Sequence, residues 1–342
     1  MRIEAHFEGG GFAALGPEWN ELLHKSCCDR IFSTWQWQET WWKHLGEGEL
    51  LLLGFRHDDG RLVGIAPLFY AKAGDRRVLQ MVGCRDVSDY LDLIVEQGEE
   101  ETVFRHLLGY LADEAAPWDV VDFCNIPQES QTYVLLRELA EERGYQTMVE
   151  VEDVCPVIPL PDTWDDYLMM LDKKQRHEIR RKLRRAEESG VHPIVVGPEH
   201  DLKAEMETFI ALHQKSTPEK DAFMDPQMQA FFVDLAHVLQ KEGWLQLTFV
   251  EMNGEKAASL LNFDYGDAIM VYNSGYDPGA YRHLSPGIVV MALSIERAIS
   301  LGKEKFDFLR GGEEYKYRFG GQDTKVRRLL IGQPGAELEA IC

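Results

Sequence analysis

The residues from Tyr276 to Ile288, YDPGAYRHLSPGI, join an apolar run to a second, almost wholly apolar one. Ser285 stands where a helix N-cap belongs, and Pro286 takes the first helical position, which proline favours. Gly287 would let a ligand come close to the backbone. The opening amides of such a helix have no internal partner and sit at the positive end of its dipole, so the turn suits an anion such as a pyrophosphate. Arg282 and His283 add positive charge, and Leu284 and Ile288 complete the turn around it. The plainer reading is a capped, buried helix without a ligand.

A second stretch, FDFLRGGEEYKYRFGG (306–321), brings together groups that move protons. Asp307 alternates with apolar neighbours on a short predicted strand, which Gly311-Gly312 ends. Glu313, Glu314, Tyr315, Lys316, Tyr317 and Arg318 then crowd one turn. Transfer of a group to an amine needs a base for the amine proton and an acid for the leaving group. It also needs donors where negative charge develops. Asp307 or Glu313 could be the base and Tyr315 the acid, with Lys316 beside them. A polar turn with Lys316 and Arg318 in salt bridges explains the same residues without chemistry.

A third stretch is basic. Lys173, Lys174, Arg176, Arg180, Arg181, Lys182, Arg184 and Arg185 surround a narrow apolar stripe of Ile179, Leu183 and Ala186 at helical spacing. Lys173, Arg176, Arg180 and Arg184 are the candidate clamp for phosphates or for an acceptor. The plainer reading is a solvated helix paired with acidic neighbours.

These stretches need elements to hold them. The pattern predicts an N-terminal helix near Pro17 to Lys25 and an aromatic helix with Trp35, Trp37, Trp41 and Trp42, read as core anchors before cofactor stackers. Asp58-Asp59-Gly60 marks one hairpin and Asn253-Gly254 another. Each hairpin leads to a strand, a helix and a strand carrying Asp-Phe, at Asp122-Phe123 and Asp307-Phe308. Residues 164–190 read as one long helix, and VRRLLIG as a last strand of the second half. The prolines of VCPVIPLPDTW (154–164) break regular structure, which places a boundary there: residues 1–157 form a first domain and 158–342 a second. The first half's equivalent of the Ser285 turn is Glu96-Gln97-Gly98-Glu99-Glu100-Glu101, a cluster of carboxylates that would repel a phosphate, so an anionic cofactor belongs to the second half.

The net charge of −22 disfavours binding of nucleic acid or anionic lipid by the surface as a whole. An anionic ligand therefore needs a local basic patch. No run of eighteen apolar residues predicts a membrane span, and the N-terminus has no apolar region of a signal peptide, so the expected location is cytoplasmic. The six cysteines lack CxxC spacing and are expected as reduced thiols, with no metal site.

The spacing from YRHLSPG through the apolar helix to DFLRGGEEYKYRFG resembles the GNAT-type acyltransferases associated with cellulose biosynthesis proteins, the BioF2-like or CelD-like group. Their Ser-Pro-Gly helix start and D-F-x-x-G…Y-K-x-x-[FW]-G segment match Ser285, Pro286, Gly287, Asp307, Phe308, Gly311, Tyr315, Lys316, Phe319 and Gly320. The resemblance implies an α+β (mixed α/β) chain of two tandem GNAT-like folds, each a twisted mixed sheet flanked by helices. It implies an enzyme that moves an acyl group from acyl-CoA, such as acetyl-CoA, to an amine on a small molecule, an amino sugar or an envelope precursor. The usual GNAT pyrophosphate loop, Q/R-x-x-G-x-G/A, is altered here to R-H-L-S-P-G, which offers fewer freely approached amides. Two alternatives stand beside this reading. One is a relative of the FemABX peptidyltransferases, whose donor is aminoacyl-tRNA, the one nucleic acid admitted as a partner. The other is a catalytically silent binding module. The oligomeric state is not legible.

Overall fold

A computed structural model describes residues 1–84, 87–279, 281–336 and 338. Ala280 of the Tyr276–Ile288 stretch and Cys342 lie outside the described residues. The chain forms two compact units, residues 1–154 with 325–342, and residues 155–324.

The first unit contains β1 (Arg2–His6), α1 (Gly10–Leu23), α2 (Trp35–Leu45), β2 (Glu49–Arg56), β3 (Leu62–Ala73), β4 (Arg76–Met81), β5 (Ile94–Val95), α3 (Glu100–Asp113), β6 (Val120–Pro127), α4 (Arg137–Glu142) and most of β7 (Gln146–Pro159). Its sheet runs β1-β2-β3-β4-β6, antiparallel except where β4 and β6 lie parallel across the α3 crossover. Gly60 at φ 91° closes the β2–β3 hairpin, as Asp-Gly between apolar runs predicts. Trp37 and Trp41 are buried, and Trp37 Nε1 donates to Ser88 Oγ at 2.9 Å, so the aromatic helix serves the core.

The second unit adds α5 (Trp164–Met170), α6 (Lys173–Glu188), β8 (His192–Val195), α7 (Leu202–Ser216), α8 (Pro218–Phe223), α9 (Pro226–Lys241), β9 (Leu245–Met252), β10 (Glu255–Tyr265), β11 (Ala268–Tyr276), α10 (Pro286–Ser300), β12 (Lys305–Asp307) and α11 (Glu314–Arg318). Asn253 and Gly254, at φ 53° and 80°, make the tight turn between β9 and β10. The sheet order β8-β9-β10-β11-β12 repeats that of the first unit, with β11 and β12 parallel across α10. Each unit is thus a mixed sheet flanked by helices, and the two share one order of elements.

Four expectations change. The last strand, β13 (Gln322–Gly332), pairs antiparallel with β6, so its residues from Lys325 onward complete the first unit rather than the second. β7 runs through Pro156 to Pro159, with Val157, Ile158 and Pro159 in register with Asp307, Phe306 and Lys305. A proline lacks a donor but keeps its carbonyl, and Pro156 O accepts from Phe308 N at 2.9 Å. The single helix expected over 164–190 is two. Leu171 and Asp172 are extended, and the Asp172 carboxylate caps α6 by accepting from Gln175 N at 2.9 Å. Finally, Cys84 and Cys124 form a disulfide. Cys84 follows β4 and Cys124 lies on the parallel neighbour β6, a proximity that pairing creates and spacing does not reveal.

Among the described residues no helix is long and apolar enough to cross a membrane.

Candidate functional site

The second unit holds a cavity of about 720 Å³, a size suited to a small-molecule ligand. Strand geometry opens it. β11 pairs with β12 only from Ala268 to Met270, and Tyr272 is the extra residue of a bulge against β10. A bulge adds twist, so the end of β11 parts from the chain that follows β12. The gap lies beyond the carboxyl ends of two parallel strands, where open α/β sheets receive ligands. Ser274 and Gly275 of β11 line one wall, Tyr315 and Phe319 another, and the first turn of α10 opens between them.

Gly275 is required where it stands. A Cβ there would lie 2.6 Å from His213 N and 2.7 Å from Leu212 C, so only glycine lets α7 pack this close to β11.

The α10 turn opens into the cavity through Arg282, Ser285, Pro286, Gly287 and Ile288. Ser285 is left-handed, φ 53° and ψ 57°, and its side chain caps nothing. This differs from the expected N-cap. Its carbonyl instead accepts from both Ile288 N (3.0 Å) and Val289 N (3.2 Å), and Pro286 has no N–H. Gly287 N–H is therefore the amide of this turn left without a partner among the described residues. No heavy atom stands within 4 Å of where a Gly287 Cβ would be. Arg282 is exposed and makes no ion pair among the described residues. One guanidinium, one amide and one hydroxyl thus face the cavity, a donor set fitted to a phosphate oxygen but smaller than the expected row of amides. His283 is exposed outside the lining, and Leu284 packs into the core under α10.

The 306–321 segment divides. Tyr315 lines the cavity; the protein around its phenol, and the charge of Glu313, raise its pKa. The Asp307 Oδ1 atom accepts from Leu309 N at 2.7 Å and so holds the turn after β12. Lys316 is 2 % exposed and does not reach the cavity. Its Nζ donates to the carbonyls of Leu309 (3.2 Å), Arg310 (2.8 Å) and Gly311 (2.9 Å) and pairs with Glu313 at 2.8 Å. Three N–H groups serve four acceptors, so Lys316 is a tether and has no free donor for a reacting group. Glu313 keeps a side chain 58 % exposed.

None of Lys173, Arg176, Arg180 and Arg184 lines the cavity. α6 packs its buried Ile179 and Ala186 towards α10, and its cations point elsewhere. Arg180 meets Asp165 at 3.3 Å, and Arg176 Nη1 lies 3.2 Å from the Met169 sulfur.

Sequence reading missed Ser259, Ser274, Asp277 and Tyr276 as lining residues. It also missed His213 and Lys220 beneath the β11 wall. Lys220 Nζ donates to the Ser274 carbonyl and to its hydroxyl at 3.1 Å, and burial lowers the lysine pKa. His213 Nε2 meets Asn273 Oδ1 at 3.1 Å, and burial, with the charge of Lys220, pushes the imidazole down to about 4. These residues arrive from β10, β11, α7, α8 and the loop after β11, and no local motif marks them.

In the first unit the equivalent of the α10 turn is filled by carboxylates. Glu100 and Glu101 open α3, and Glu99 meets His57 at 2.9 Å. The equivalent of Asp307 is Asp122, fully buried and held by Arg328 at 2.7 and 2.8 Å. The same unit gathers Cys27, Cys28 and Asp92, one ligand atom from each within 4.8 Å of the others, a grouping of the metal-ligating kind where none was expected. Asp92 Oδ1 accepts there from Thr132 Oγ1 and from Leu93 N at 2.9 Å.

Residues 173–317 match the family described as acetyltransferase (GNAT) domain. No curated protein matches the chain. Among solved structures, the chain is similar to FemX at 12 % identity and TM-score 0.68, over 96 % of this chain and 97 % of that one. It is similar to L-PGS from Bacillus licheniformis at 13 % identity and TM-score 0.57, over 94 % and 93 %. A protein of unknown function from Bacteroides thetaiotaomicron gives 11 % identity and TM-score 0.61, over 96 % and all of that chain. The likeness to FemX is one of fold, over nearly the whole chain, and the match to the acetyltransferase (GNAT) domain lies within the second unit, which holds the cavity.

Proposed function

We propose that this protein is an N-acyltransferase of the BioF2-like or CelD-like kind, moving an acyl group from acyl-CoA to an amine on a small molecule or sugar-linked acceptor. The observation that carries the reading is the opening of the α10 turn into a cavity, with Arg282, Ser285 Oγ and Gly287 N–H without a partner among the described residues. Those groups would hold the diphosphate of the donor. The thioester would lie along the wall of Ser274, Gly275 and Tyr315.

Glu313, outside the cavity lining but two residues from Tyr315 and the more solvent-open carboxylate, takes the proton of the attacking amine. Its carboxylate is held beside the turn by the ion pair with Lys316 at 2.8 Å. The new bond forms between the amine nitrogen and the acyl carbon as the carbon–sulfur bond breaks. Tyr315 carries its phenolic proton at neutral pH, as any tyrosine does, and delivers that proton to the departing thiolate. Asp307 and Lys316 position the loop between them. The first unit serves as scaffold, since Arg328 occupies its corresponding aspartate.

Isothermal calorimetry with CoA tests the donor. The parent should bind, and Arg282→Ala should weaken binding about tenfold to a hundredfold, the worth of one charge-assisted hydrogen bond. A folded parent that gives no heat at millimolar CoA defeats the proposal.

A second donor, aminoacyl-tRNA, is favoured by the likeness in fold to FemX. It predicts retention of tRNA by the parent and its loss on charge reversal at Arg180 and Arg184. Absence of retention by the parent removes it.

A further inference from the structure

The solvent face of α6 carries a charge pattern that acyl transfer does not use. Successive helical residues turn by about 100°. Lys173, Arg184, His177, Arg181, Lys174 and Arg185 therefore follow one another around an arc of about 120°, on the side away from Ile179 and Ala186. All six are exposed, and Glu188 alone interrupts the arc. Among the described residues Lys173, Lys174, Arg181 and Arg185 make no ion pair, and Arg184 reaches Glu188 only at 3.9 Å. The acids that meet this helix closely do so on its flanks, Asp165 with Arg180 and Glu178 with Lys182 at 2.8 Å.

The start of the helix adds an apolar element. Met169 and Met170, at the end of α5, stand 64 % and 50 % exposed, and Met169 touches Arg176 of the first α6 turn, about 60° around the helix from the Lys173 edge of that arc. Two thioether side chains left in water beside a cationic face are the pairing that an interfacial segment needs: charge for anionic headgroups and apolar groups for the acyl boundary.

We infer that the α5–α6 corner docks the protein on an anionic lipid bilayer, with Lys173, Lys174, Arg181 and Arg185 against headgroup phosphates and Met169-Met170 inserted at the interface. The net charge of −22 does not forbid this. The Debye length at physiological salt is about 8 Å, while the helix is about 24 Å long, so the contact feels the local patch. A nucleic acid would use the cations but leave the methionines without a function. α6 also packs against the 282–284 turn, at the mouth of the cavity. If the acyl-transfer reading holds, docking brings lipid headgroups beside the site and selects an amine on a lipid or lipid-linked acceptor. The docking itself does not depend on that reading.

Vesicle co-sedimentation of the full chain, without CoA, tests it at physiological ionic strength. The parent should bind phosphatidylcholine vesicles containing about one third phosphatidylglycerol at least tenfold more tightly than phosphatidylcholine alone. Lys174→Glu with Arg181→Glu should weaken that binding about 25-fold or more, from about fivefold per cation removed. Met169→Ser with Met170→Ser should also weaken it, while leaving retention on total tRNA unchanged. All four positions are exposed, and unchanged thermal melts establish that the variants are folded. Equal binding to both vesicles, no effect of the charge reversal, or tRNA binding as tight as vesicle binding with an inert methionine pair would overturn the inference. The CoA calorimetry is read separately, so failure of one does not decide the other.

Discussion

Replacing Lys316 by methionine should disable the second unit by releasing the 309–311 loop. The side chain is almost wholly buried, and its ammonium is the shared donor for three consecutive carbonyls. Methionine keeps the volume and removes every one of those bonds. A hydrogen bond to a charged group contributes about 1.5–3 kcal/mol, and the three are not additive because one ammonium makes them all. The ion pair with Glu313 adds little, since that carboxylate is more than half exposed. A loss of about 3 kcal/mol follows, and at about 2–4 °C per kcal/mol for a unit of this size the melting temperature falls by about 6–12 °C. Differential scanning calorimetry reads the shift, and acyl-transfer assays below the transition read the second consequence, a fall in kcat as Glu313 and Tyr315 lose their support. A melting loss under about 2 °C would show that the loop carbonyls do not depend on this ammonium.

Gly275→Ala forces a Cβ against the backbone of His213 and should destabilise the protein by about 1–3 kcal/mol in urea titration. Gly287→Val, in contrast, meets no protein atom at its Cβ; it should leave the melting temperature nearly unchanged and weaken CoA binding at least about tenfold. His213 has a folded pKa near 4 against an ordinary 6.5. The unfolded chain therefore binds the proton first, and stability that is full above pH 6.5 is lost as pH falls from there towards 4, by about 3 kcal/mol in all. Replacement by Asn, which does not titrate, should flatten that part of the pH–stability curve; an unchanged slope would show that another group is responsible. Tyr315→Phe should lower kcat with little change in CoA affinity, measured by coupled thiol release and calorimetry, because the phenol is assigned to the leaving group.

The parts of the candidate cavity wall that were legible in the sequence are those encoded in one local stretch. Asn253-Gly254 marks its turn because both residues must take positive φ, and Pro286 marks a helix start because its ring fits there and nowhere further in. Tyr315 followed from its place in a compact motif. What stayed hidden depends on pairing between distant elements. The cavity exists because β11 leaves β12 after three residues, and no residue type announces that departure. The Ser285 turn was legible as a helix start, but its left-handed conformation, which leaves a single unpartnered amide, was not. Lys316 matched the motif as well as Tyr315 did, yet burial makes one a tether and the other a wall of the cavity. The basic run of α6 was visible, and only the three-dimensional positions of Asp165, Glu178 and the methionine pair separate its neutralised flank from its bare face.

The return of β13 to the first unit has a consequence for biogenesis. β6 is buried along its whole length, and one of its edges is covered only by residues that leave the ribosome after the entire second unit has been made. Until then the nascent first unit presents an apolar, unpaired edge, the kind of template on which chains aggregate. Release by a nonsense codon anywhere between residues 160 and 325 would leave that edge permanently open. A truncated product of this protein should therefore collect in the insoluble fraction even when every residue of the second unit is present.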